Sequence, residues 1–167
     1  MRRTVTPMTP EAEVAFENGV DFIDDPSLLE GTWLEEWEGD ITRRVDLCDA
    51  VVVVRITAVQ QNVDLDRNLS YRLVAHIENV RFGTGFEGEI TLVSRDGEPG
   101  HTSVHENENR LLQNQFVAYL RFVEENGEVV PRWHLSPAAD RIIRRTNSLL
   151  ETRRSTDGRR RVTVHES

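Results

Sequence analysis

Two histidines four positions apart are the residues whose type and spacing most strongly suggest chemistry. His101 and His105 are followed by two acids, Glu106 and Glu108. On one helix face, imidazoles at this spacing can bind zinc. However, Ser103 forms a capping box with Glu106, which starts the helix after His101 and separates the two imidazoles. His101 and His105 are therefore weak metal candidates, and the sequence predicts no metal site and no cofactor.

The sequence contains no motif for catalysis. It has no Gly-x-Ser-x-Gly, phosphate loop, dinucleotide fingerprint or paired-cysteine metal motif. Ser103 lies between two histidines, but helix capping accounts for it more simply than a nucleophilic role. The single cysteine, Cys48, is flanked by Asp46 and Asp49, so we expect a buried, unreactive thiol. The sequence predicts no catalytic residue and a protein that is not an enzyme.

Tryptophan and arginine residues at helical spacing predict a surface for a partner. Trp33 and Trp37 are four residues apart, and Arg141, Arg144 and Arg145 share one face of the final predicted helix. These residue types are enriched at the centres of protein interfaces. Paired tryptophans at this spacing are also typical of anchors in a hydrophobic core. The five side chains form the predicted partner surface.

The charge of the chain is negative overall and changes along its length. There are 20 basic residues, all arginine, and 29 acidic residues, which give a formal net charge of −9. Residues 1–42 carry 2 arginines and 11 acids, residues 43–137 carry 10 and 14, and residues 138–167 carry 8 and 4. Non-specific binding of nucleic acid requires a basic surface, which the body of this chain lacks. A protein partner is therefore favoured over nucleic acid.

A run of apolar, mostly β-branched residues predicts the central strand over 49–60. Val51–Val54 show neither a helical stripe nor an alternation, which is typical of a strand covered on both faces. Four further strands are predicted, at 71–82, 86–95, 115–123 and 129–135. Asn126 and Gly127 predict a type I′ turn between the last two strands, and Pro131 indicates an edge or a bulge.

Helices flank these strands, and a short one separates the third strand from the fourth. A helix is predicted over roughly 27–47, and another from Ser136-Pro137 to about Arg154. The predicted organisation is a flexible acidic arm over 1–25, a single domain over 26–154 and a flexible basic tail over 155–167. Five strands with a helix after the third are typical of an OB-like Greek-key barrel. The predicted fold is mainly β, with an N-terminal helix and a C-terminal amphipathic helix.

Part of the chain resembles a known family. The stretches Leu47–Ile56, Tyr71–Val74 and Val80–Gly83 are similar to the netrin-like OB-fold domain of tissue inhibitors of metalloproteinases and related bacterial proteins. The resemblance covers about 45–140 and implies the barrel fold. Inhibitors of that family reach a protease zinc with a disulfide-tethered N-terminal cysteine, whereas this chain has one cysteine, so the resemblance does not extend to protease inhibition.

These observations predict a non-catalytic binding or scaffold module for a protein partner. One alternative is a subunit of an envelope or surface assembly, as the mature part of an exported lipoprotein. Another is a nucleic-acid-binding OB-fold, whose second and third strands would offer Tyr71, Arg72, Arg81, Phe82, Phe86 and Arg95. No apolar segment follows Met1-Arg2-Arg3, and no run of about 20 apolar residues occurs, so no export signal and no membrane span are expected. The expected location is cytoplasmic as numbered, or extracytoplasmic if a signal was removed.

Overall fold

The computed structural model describes residues 5–166, with the side chains of residues 5–156. The described chain is mainly β, as predicted. Its strands are β1 (Gly19–Val20), β2 (Ala50–Val63), β3 (Leu69–Phe82), β4 (Glu89–Arg95), β5 (Gln115–Glu125) and β6 (Glu128–Pro137). Its α-helices are α1 (Pro10–Ala15), α2 (Thr32–Leu47), α3 (His101–Val104), α4 (Glu108–Leu111) and α5 (Asp140–Glu166).

β2 lies inside a six-stranded sheet of order β1-β6-β5-β2-β3-β4, and both faces of its first half are covered. Val52 and Val54 pack into the core on one face, with Trp133. Val51 packs on the other face, in a cluster with residues of α1, α2 and α5. This confirms the prediction that the valine run is a strand buried on both sides, and it explains why the run shows no alternation.

The sheet curls so that its two ends approach each other. The Trp133 indole N–H of β6 donates to the carbonyl of Val93 in β4 at 3.0 Å. No backbone pairing between β4 and β6 occurs among residues 5–166. The prediction of a five-stranded Greek-key barrel therefore holds only at the level of a mainly β, curled sheet with flanking helices. The described chain has six strands and not five. The additional strand is the two-residue β1, which no sequence pattern indicated.

The N-terminal segment packs on the sheet, whereas the sequence predicted a flexible acidic arm over 1–25. Phe16 is fully buried against α2, and β1 pairs in parallel with His134 and Leu135 of β6. A Cβ atom on Gly100 would lie 2.4 Å from the Glu17 carbonyl oxygen, so only glycine permits this approach. We call residues 5–23 the N-terminal strap.

The flanking helices differ from their predicted bounds. Pro26–Leu28 form a short 3-10 helix, and α2 begins at Thr32, because Gly31 has a φ of 58° that interrupts the helix predicted from about residue 27. Ser136 and Pro137 end β6, and α5 begins at Asp140. The backbone of α5 continues to Glu166, which covers most of the predicted flexible tail, although side chains 157–167 lie outside the described residues.

Candidate functional site

Four of the five predicted partner-surface residues lie together in one shallow groove. The groove encloses about 360 Å³ between α2 and α5. Its lining consists of Pro26, Trp37, Glu38, Arg141, Arg144, Arg145 and Ser148. α2 supplies the tryptophan and one acid, and α5 supplies the arginines. Residues more than a hundred positions apart in the sequence thus form one surface.

The two tryptophans of α2 have different environments. Trp37 is 6% exposed, and its ring packs with Phe16 and Ile41 while also lining the groove. Trp33 is 69% exposed, one helical turn earlier. Residues four apart lie on the same helix face, so Trp33 lies on the Trp37 side of α2, one turn before the residues that line the groove. Trp37 is therefore a core anchor, and Trp33 is a large apolar side chain left in solvent.

The groove has one acidic wall and one basic wall. Arg145 binds the Glu38 carboxylate at 2.8 Å across the groove. Arg141 lies 3.6 Å from Asp25, and Arg144 lies 3.9 Å from Asp140. The Arg144 side chain is 79% exposed, and exposed ion pairs of this kind contribute little to stability. Arg144 and Arg141 can therefore exchange their present partners for carboxylates of another molecule.

His101 and His105, the two weak metal candidates, lie close together. Their rings stack with centroids 5.6 Å apart and planes 16° apart, at the two ends of α3. The His105 Nδ1 atom is engaged with the Tyr71 hydroxyl at 2.8 Å. Within the described side chains, no group of three or more His, Cys, Asp or Glu converges to hold a metal ion.

The environment of Tyr71 favours its neutral form. Burial raises the pKa of Tyr71 to about 12, and the nearby Glu108 carboxylate adds to this rise. A neutral phenol can both donate and accept a hydrogen bond, so it can pair with either tautomer of His105. The capping box predicted a helix that begins at Ser103, whereas α3 begins at His101. The Ser103 hydroxyl instead donates to the carbonyl oxygen of Gly100 and accepts from the backbone N–H of Val20 in the N-terminal strap.

His134 and Ser136 of β6 form a buried polar cluster with two acids of the N-terminal strap, and the sequence did not predict this cluster. His134 is 2% exposed, and each of its ring nitrogens faces a carboxylate of the N-terminal strap. Nδ1 lies 2.5 Å from Glu17 Oε1, and Nε2 lies 2.7 Å from Asp21 Oδ2. The Ser136 hydroxyl also donates to Asp21. An ionised carboxylate only accepts hydrogen bonds, so a ring nitrogen that bonds to one must carry the hydrogen.

The charges of this cluster explain the carboxyl pKa values. Burial alone would raise the pKa of Glu17, but the charge of His134 and the hydrogen bond to it outweigh burial and lower the pKa. The pKa of Asp21 is lowered for the same reasons, with a further hydrogen bond from Ser136. The cluster holds the N-terminal strap against β6. The only sequence signal was an isolated histidine in a strand, and its partners lie more than a hundred residues away.

The aromatic residues named for nucleic-acid binding each contact another side chain of the protein. Tyr71 is buried, and Phe86 stacks on Phe122 with ring centroids 5.9 Å apart. The guanidinium of Arg153 lies 4.5 Å from the centroid of Phe82. Binding of single strands depends on aromatic rings that are open to stacking with bases. The described surface of β3 and β4 does not present these rings in that way.

Comparison of the chain with models of protein families finds no match, and comparison with curated proteins finds none either. In the part of the chain that the structure describes, no helix has both the length and the apolar character of a membrane span. The candidate site is an open groove between two helices, α2 and α5.

Proposed function

We propose that the protein is a non-catalytic binding module whose α2–α5 groove binds a segment of another protein. The observation that carries this proposal is the convergence of Trp37, Arg141, Arg144 and Arg145 in one groove. The exposed Trp33 lies one turn away on the same helix. Aromatic anchors beside arginines are the residues that most often dominate the binding energy of protein interfaces.

The charges of the groove support a protein segment over nucleic acid. Glu38 and Asp25 face the arginines, so a continuous phosphate backbone would meet carboxylates as well as guanidinium groups. Favourable electrostatics require opposite charges across the interface, and like charges disfavour the wrong partner. We therefore propose a partner segment with an apolar side chain for the tryptophan surface and an acidic residue for Arg144.

The fold part of the proposal is an OB-like barrel that is partly open. The curled sheet and the indole contact between β4 and β6 support a barrel left unclosed at this seam. The similarity to the netrin-like domain remains a proposal about the fold only. Many unrelated functions share such barrels, so the groove, not the barrel, supports the binding function.

Site-specific photo-crosslinking tests the proposed groove. We would replace Trp33 with a photoreactive phenylalanine and irradiate the protein in an extract of the source organism. Val14 provides a matched control position, because it is also apolar and 66% exposed but lies on α1, which contributes no residue to the groove lining. We expect a discrete protein adduct from position 33 and none from position 14.

Arg144→Glu provides the second arm of this experiment. Reversing this exposed charge should remove the adduct from position 33 without affecting the fold. Equal adducts from positions 33 and 14, or an adduct unchanged by Arg144→Glu, would refute the groove as the binding site. An adduct with nucleic acid that disappears with salt would instead support the nucleic-acid alternative.

A further inference from the structure

The outer half of β2 has a bare edge. β5 pairs with β2 only over 50–55, and Gln113–Asn114 bond to Ile56 just beyond. Over 58–63, β2 pairs with β3 on one side, and no other strand within residues 5–166 pairs with it on the other side. An edge of this kind presents unpaired N–H and C=O groups to another chain.

The hydrogen bonds of the adjoining turn determine which peptide groups face outwards. Asp64 N donates to the carbonyl of Asn68 at 3.1 Å, so these two residues form a hydrogen-bonded pair. In an antiparallel ladder, such pairs alternate with pairs that are not hydrogen-bonded. Every second residue back along β2 therefore bonds to β3. The groups that face the bare edge belong to Val59, Gln61 and Val63.

This edge lacks the usual protections against pairing. Edge strands commonly carry charged residues or proline, and Thr57–Val63 contains neither, although 29% of the chain is charged. The one irregularity in this stretch is a shift of register between Ile56 and Ala58, at its inner end. The residues of 60–63 are exposed to solvent. The outer part of the edge is thus regular, uncharged and accessible.

We propose that two copies of the chain associate by antiparallel pairing of this edge, about a two-fold axis at Gln61. A two-fold axis makes a single uncharged strand its own complement. The outward groups then match in three pairs: Gln61 with Gln61, and Val59 with Val63 in both directions. Each such pair exchanges two backbone hydrogen bonds.

The charges at the ends of the edge do not oppose this arrangement. The turn 64–67 contains two aspartates and one arginine, so it has one net negative charge. Antiparallel pairing brings this turn towards the inner end of the partner's edge, where Arg55 is the nearest charged residue of β2 and is paired with Glu78 of β3 at 3.5 Å. The stretch that pairs carries no charge that would add to repulsion between two copies with a net charge of −9 each.

Exposed apolar side chains lie at the same two ends. Leu65 is fully exposed at the tip of the turn, and Val63 is 58% exposed beside it. Leu112, which is 43% exposed, directly precedes the segment that bonds to Ile56. Asp64 Oδ1 accepts from the N–H groups of Asp66 and Asn68, which fixes the turn before association. The two-fold arrangement brings the turn of one copy, with Leu65, towards the inner end of the other copy's edge.

Cysteine crosslinking tests both the association and its register. The only native thiol, Cys48, is buried, so the unmodified chain is a suitable control. In Gln61→Cys, the two Cα atoms would lie about 5.5 Å apart as a hydrogen-bonded pair, within disulfide range. Mild oxidation at micromolar protein should therefore give a covalent dimer.

Two neighbouring variants provide the register control. Gln60→Cys alone and Asn62→Cys alone place the two cysteines beyond disulfide range, because residue 60 faces residue 62 of the other copy. A mixture of the two variants should form a mixed dimer, since this pair is not hydrogen-bonded and its Cα atoms approach to about 4.5 Å. Absence of a Gln61→Cys dimer, or equal dimer formation by Gln60→Cys alone, would refute the proposal.

Gln61→Pro and Gln61→Thr separate backbone pairing from side-chain effects. Proline removes the outward N–H and suits an edge position, whereas threonine keeps the N–H. In sedimentation velocity over a concentration series, we expect Gln61→Pro to weaken self-association by about tenfold or more, since each dimer loses two hydrogen bonds. Gln61→Thr should associate like the unmodified chain. Equal association of both variants would overturn the proposed pairing.

Discussion

Replacing the two tryptophans of α2 by alanine should affect stability very differently. Trp37 is 6% exposed and packs with Phe16 and Ile41, so Trp37→Ala leaves a large cavity between α1 and α2. Truncation of a buried tryptophan typically costs about 3–5 kcal/mol of the free energy of unfolding. Trp33 is 69% exposed, and truncation of an exposed side chain usually changes stability by less than about 0.5 kcal/mol.

Thermal denaturation followed by far-ultraviolet circular dichroism measures this contrast, because the signal does not depend on tryptophan fluorescence. For a chain of this size, a loss of 1 kcal/mol lowers Tm by about 2–4 °C, so Trp37→Ala should lower Tm by roughly 6–20 °C. Trp37→Phe keeps much of the apolar volume and should cost less than Trp37→Ala. If Trp33→Ala and Trp37→Ala proved equally destabilising, the assignment of Trp37 to the core and Trp33 to the surface would be wrong.

Three further predictions concern charge, a thiol and a glycine. The pKa values of Glu17 and Asp21 are lowered in the folded state, so the ionised carboxylates stabilise the fold. This stabilisation is complete above the ordinary carboxyl range near pH 4 and is lost as the pH falls through the lowered pKa values. Urea unfolding across acidic pH should show this loss, and His134→Gln should make the loss shallower. Burial raises the pKa of Cys48 to about 12, so a thiol reagent at neutral pH should label it only after unfolding; rapid labelling of the native protein would contradict its burial. Gly39 lies inside α2 with open space around its Cβ position, so Gly39→Ala should raise the free energy of unfolding by about 0.5–1 kcal/mol, and a decrease in a denaturant titration would count against this account.

The strands could be predicted from the sequence because their patterns are local. The valine run and the alternation after Tyr71 led to strands that the structure places at Ala50–Val63 and Leu69–Phe82. Asn126 and Gly127 both have positive φ angles, 53° and 81°, as the predicted type I′ turn requires. Pro131 pairs with Phe122 of β5 on one side, and no described strand pairs with it on the other because β1 reaches only His134 and Leu135, which agrees with its predicted edge position.

The N-terminal strap could not be predicted because its order comes from distant contacts. β1 has only two residues, too few for any periodic signal. Glu17 and Asp21 look like solvated acids in the sequence, and only the fold reveals that His134 lies between them. The same limit applies to the groove. The spacing of Trp33 and Trp37 predicted a shared helix face, but only the packing of α1 determines which of the two is covered.

The N-terminal strap also constrains how the chain can fold during synthesis. Glu17 contacts a residue 117 positions later, so the strap leaves the ribosome long before its binding site exists. At typical translation rates of about 5–20 residues per second, the delay is on the order of 6–23 s. Throughout this time the strap has no docking surface. Residues 5–23 contain four acidic and no basic residues, and this net negative charge suits the delay because it disfavours misassociation before β6 is made.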